Sequence, residues 1–117
     1  MTTTDYLSDL VRRPADIRLK IAEAATEGYQ RADQLTDLVQ ELAGAEAISY
    51  IAAEVLNHID AGEAYDIAMA EMIQRQTRRM LMTGADDNWS GRGNDTRRAA
   101  FDAVRGWLLE LTVAANR

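Results

Sequence analysis

Apolar side chains recur three and four residues apart through most of this chain and almost nowhere every second residue. Between Gly44 and Gly62 the apolar positions include Ile48, Ile51, Ala52, Val55, Leu56 and Ile59. Steps of three and four return a side chain to one face of a helix, whereas a half-buried strand needs alternation. Valine, isoleucine and threonine form no alternating runs, and no Asn-Gly or Asp-Gly pair marks a hairpin. Alanine supplies 20 of 117 residues, and the single proline is Pro14. These features predict an all-α fold: a compact bundle of four to six helices in one domain over residues 1–117, with a polar Gly-rich loop before the last helix. A chain of this length buries roughly 65% of the surface its unfolded form exposes, enough for a core of its own.

The helices are placed by their punctuation. Thr4 and Asp5 suit the start of a short helix over residues 5–13, which Pro14 is expected to end. From Pro14 to Ala43, Ile21, Gly28, Leu35 and Leu42 keep a seven-residue register; Gly28 either permits close helix approach or marks a break near 28–31, the break being expected because Asp33 can cap a new helix. Gly44 is expected to stop that segment, and Gly62 the next one over 45–61. A helix over 63–83 turns Tyr65, Ala68, Met69, Met72, Ile73 and Met80 inward, with Glu71 and Arg75 four apart and Gly84 at its end. Asn94 or Asp95 caps a last helix to about Ala115. The predicted core is Ile21, Leu35, Leu38, Val39, Ile48, Ile51, Val55, Ile59, Met69, Met72, Ile73, Phe101, Val104, Leu108 and Leu111, with Trp107 flanking it.

Charge is segregated along the chain. The net charge is −6, but residues 21–74 carry eleven acidic groups against Arg31 alone, and residues 75–117 carry eight basic groups against five acidic ones. Such segregation either keeps helix faces wet or lets each half meet a partner of opposite sign. Cysteine is absent, which excludes disulfides, thiol catalysis and cysteine-ligated zinc and fits a reducing, cytoplasmic setting. No apolar run is long enough to span a membrane, and the first residues show no secretory leader.

Gly84–Arg98 is the stretch that looks most like a site. It holds Trp89, Gly91, Arg92 and Gly93 among charges of both signs. Asp86, Asn88, Ser90 and Gly91 match positions 1, 3, 5 and 6 of an EF-hand loop, with Asn94 at position 9. Position 12 is Arg97, where a bidentate glutamate is required, so the pattern fails at its strongest ligand and no metal or cofactor is expected. Arg97 and Arg98 stand in the first turn of the last helix, where cations oppose the dipole. Either Asp86, Asp87 and Asp102 compensate them internally, or the loop receives an acidic group while Trp89 fills a partner's pocket.

Elsewhere, Asp33, Asp37 and Glu41 form an acidic face at four-residue spacing, costly by itself and suited to a basic partner groove. His58, the only histidine, has Glu54 one turn before it but no second histidine to complete a metal pair, so nothing marks an enzyme. Ala24 and Gly28 have helix-turn-helix spacing, yet Glu23, Glu27, Asp33 and Asp37 around them would repel phosphates.

The expected function is that of a small non-enzymatic protein-binding module that regulates or inhibits a partner protein. It would act through Trp89, Arg92, Arg97, Arg98, Asp86 and Asp87, through the acidic face, or through both. A homodimer through one helix face is also expected. The alternatives are nucleic-acid binding through Arg75, Arg78, Arg79, Arg92, Arg97 and Arg98, and a calcium-stabilised structural domain.

Overall fold

A computed structural model of the chain describes residues 3–26, 32–84 and 94–115. Four helices are present among the described residues: α1 (Thr3–Thr26), α2 (Ala32–Asp60), α3 (Tyr65–Gly84) and α4 (Asn94–Ala115). They pack against one another, and no strand occurs among the described residues, as the apolar periodicity predicts.

Two predicted boundaries are wrong. Pro14 does not end a helix; it lies buried inside α1. A proline in mid-helix removes one hydrogen bond and costs about 3 kcal/mol in an isolated helix, so tertiary packing must hold α1 together. The Ser49 hydroxyl of α2 donates to the Val11 carbonyl at 3.0 Å, one turn before Pro14, and ties the two helices together there. Gly44 does not stop a helix either, because α2 runs through it for 29 residues. Gly44 is buried, and a Cβ built on it would lie 2.6 Å from the Cβ of Ala103 and 3.7 Å from the Ala99 carbonyl oxygen on α4. The glycine serves the closeness of two helices rather than the end of one. The break expected near 28–31 falls on residues 27–31, outside the described residues, and the helical segments on either side are α1 and α2.

Gly62 does act as a terminator. Its φ is +107°, its N–H donates to the Ile59 carbonyl at 3.0 Å, and the Glu63 N–H donates to the His58 carbonyl at 3.0 Å. This is a Schellman arrangement with glycine at the left-handed position.

α2 is the hub. α1 runs antiparallel to it, with Val11 opposite Ser49 and Arg18 paired to Glu46 at 2.7 Å. α4 meets α2 at Gly44, and α3 turns back along α2 after Gly62. The core gathers Leu7, Ile51, Ala52, Val55, Ala68, Met69, Met72, Val104, Trp107 and Leu108. Ile48, Ile59, Ile73 and Leu111 pack at its edge. The cluster departs from the predicted core in both directions: Leu7, Ala52, Ala68 and Trp107 join it, and Ile21, Leu35, Leu38, Val39 and Phe101 do not. Trp107 is central, at 6% exposure, because its indole N–H donates to the Tyr6 hydroxyl at 2.8 Å and so satisfies its one polar atom. Val39 is 43% exposed, since the start of α2 extends past the cluster.

The radius of gyration is 16.0 Å, against roughly 13.4 Å for a compact chain of this length. The excess follows from the length of the helices, since 29 residues of α2 alone span about 43 Å. A groove is left beside the α2–α4 contact.

Candidate functional site

The groove lies between α1, α2 and α4 and encloses about 680 Å³. From α2 it is lined by Asp37, Gln40, Glu41, Gly44, Ala45 and Ile48. From α4 it is lined by Ala99, Asp102, Ala103, Gly106, Trp107 and Glu110. The two sets have the same spacing, i, i+3, i+4, i+7, i+8 and i+11, which is one continuous face of a helix. Tyr6, Leu10 and Arg13 of α1 contribute the third wall.

Small residues make this space. Gly44, Ala45 and Ala103 let α2 and α4 close together at its base, Ala99 and Gly106 keep the α4 wall low, and Ile48, Leu10 and the faces of Tyr6 and Trp107 give an apolar floor. Carboxylates make the rim. Asp37, Glu41, Asp102 and Glu110 are all exposed, and Arg13 is the one cation among the lining residues. Arg13 sits 3.7 Å from Glu41 across the α1–α2 side. The lining therefore carries a net charge of −3, concentrated around a low-dielectric floor where field lines focus.

Gly106 is the least expected member. A glycine in mid-helix costs about 1 kcal/mol relative to alanine. Nothing lies within 4 Å of where its Cβ would be. Gly44, by contrast, is demanded by Ala103. The fold itself gives no reason for glycine at 106, and the open space beside it faces the groove.

The sequence-predicted residues divide by position. Trp89, Arg92, Asp86 and Asp87 lie outside the described residues, as does the rest of the loop over 85–93. Arg97 and Arg98 are exposed in the first turn of α4. Asp33 is in α2, though its side chain is outside the described set. Asp37 and Glu41 of the acidic face stand on the groove rim. Asp102 and Glu110, which complete that rim, were not read as a site from sequence, nor were Gly106 and Tyr6. The shared spacing on 37–48 and 99–110 was visible, but only the packing of α2 on α4 makes the two faces one surface.

At the α2–α3 corner the structure assembles a second set of ionisable groups. His58 Nδ1 lies 3.4 Å from Glu63 Oε2. A hydrogen bond shared with Glu71 raises the Glu63 carboxyl above its ordinary value, desolvation adds to this, and His58 and Arg75 partly oppose it. Arg75 reaches across to Glu54 at 3.2 Å, an interhelix pair. The cleft here holds only about 10 Å³, room for one water at most. No three histidine, aspartate or glutamate side chains converge as a metal site among the described residues.

The site thus belongs to an all-α helical bundle with an acid-rimmed interhelical groove. No family model, curated protein or solved structure matches the chain. No helix among the described residues is long and apolar enough to cross a membrane.

Proposed function

We propose that this protein is a non-enzymatic protein-binding module that regulates or inhibits its partner, and that the groove between α1, α2 and α4 is where the partner docks. The partner's docking element is a basic, amphipathic helix. The observation that carries this reading is the pairing of a small-residue, apolar floor with a rim of net charge −3. A helix has the right form because two facing helix stripes present grooves into which its side-chain ridges fit. Lysine or arginine flanking its apolar face would meet Asp37, Glu41, Asp102 and Glu110, giving orientation and a fast, salt-dependent encounter. Open space at Gly106 supports the reading, since it admits close backbone approach.

The test is capture from lysate with the tagged full chain, after nuclease treatment, compared with the doubly substituted Asp102→Arg, Glu110→Arg chain. The reading expects a protein partner that is retained by the unsubstituted chain, released by salt and lost on charge reversal. Equal recovery by both chains would refute the groove assignment. Recovery that disappears on nuclease treatment would favour the exposed arginines Arg78, Arg79, Arg97 and Arg98 as a nucleic-acid surface instead.

A further inference from the structure

The chain carries a segment whose chemistry fits its own groove. Arg75, Arg78, Arg79 and Met82 of α3 fall at i, i+3, i+4 and i+7, one stripe along the helix. All four are exposed; Met82 is 72% exposed, and its neighbour Leu81 is 74% exposed. These two large apolar side chains stand open at the end of α3. Arg75 is held by Glu54, so Arg78 and Arg79 are the charges on offer, with Met82 as the apolar knob beside them.

We propose that the free protein covers its groove with a second copy of itself, the occupying element being the C-terminal half of α3. This rests on reading the groove as a helix-docking surface. Charge decides the geometry. Groove against groove would set four carboxylates opposite four others, so the symmetric use of that one surface is disfavoured. A basic α3 end entering an acidic groove uses two different surfaces, a heterologous contact. The dimensions agree: Arg75 to Met82 spans about 10 Å of helix, and Asp102 to Glu110 about 12 Å. A partner with a better basic helix would then displace the second copy, so self-association and partner binding compete for one site.

Sedimentation equilibrium of the full chain tests this, with circular dichroism checking that each variant remains helical. The mass is expected to rise above the 13.0 kDa of one chain with concentration at low salt, and to fall back at high salt as the charges are screened. Substituting both Arg78→Glu and Arg79→Glu should weaken association about tenfold or more, and so should Asp102→Arg with Glu110→Arg. Mixing these two chains should restore association, because the acidic α3 end of one now meets the basic groove of the other. A chain that is monomeric throughout, association that survives Arg78→Glu with Arg79→Glu, or a mixture that stays apart would each overturn the proposal. If the chain is monomeric but lysate capture is still lost on groove reversal, this inference fails while the docking groove stands. If self-association follows the charge swaps but capture is indifferent to them, the external partner is the part that fails.

Discussion

Gly44→Ala is the most informative single substitution in this fold, because two terms of opposite sign meet at one atom. In an exposed helix the change would stabilise by about 1 kcal/mol, since alanine loses less backbone freedom on folding. Here the new methyl would stand 2.6 Å from the Ala103 Cβ, whereas carbon atoms in contact prefer about 3.5–4.0 Å. Both atoms sit directly on their backbones, so no side-chain rotation relieves the clash. α2 and α4 must separate by about 1 Å, which strains the packing of Ile51, Val55 and Trp107 beyond it. Overpacking of this kind costs about 1–3 kcal/mol. Subtracting the helix term leaves a net loss of about 1 kcal/mol, or a fall in Tm of roughly 3–6 °C for a domain of this size. Thermal and urea unfolding followed by far-UV circular dichroism would read it. The decisive control is the double variant with Ala103→Gly, which moves the glycine from one helix to the other. It should recover most of the loss, giving a favourable coupling of about 1 kcal/mol or more between the two sites. If Gly44→Ala alone raises stability, or the two changes simply add, the close approach of α2 and α4 is not what requires glycine at 44.

Other expectations follow from the same geometry. Gly106→Ala meets no neighbour within 4 Å, so it should stabilise the fold by about 0.5–1 kcal/mol while reducing partner capture; stabilisation with capture intact would show that the open space at 106 is not used. Gly62→Ala places a side chain at φ +107° and should cost about 1–2 kcal/mol in urea unfolding, with no loss meaning that the α2–α3 corner rearranges freely. Glu63 is raised above its ordinary 4.5 chiefly by the hydrogen bond with Glu71. Its contribution is therefore fully present below 4.5 and is lost as pH rises through the higher folded value. Melting curves across pH should show Glu63→Gln gaining on the unsubstituted protein as pH rises through that window, and parallel curves would contradict the shared proton.

The helical character was written in the spacing of apolar residues, and so were the register of α3 and α4 and the turn at Gly62. These depend on interactions within a few residues, so local sequence suffices to specify them. Pro14 and Gly44 were misread for one reason. Each is a breaker by local propensity, and each sits inside a helix that packs on another dozens of residues away, α1 on α2 near Val11 and Ser49 in one case and α2 on α4 at Ala103 in the other. Asp37 and Glu41 were recognisable as an acidic face, but their partners on the rim were not, because Asp102 and Glu110 lie more than sixty positions further along the chain. By itself the sequence determined that the chain is helical and which residues of α3 turn inward. Only the tertiary structure decided which helix faces meet and where a groove is left beside them. That is a matter of how closely two backbones can approach, set by a few glycines and alanines whose role no local pattern reveals.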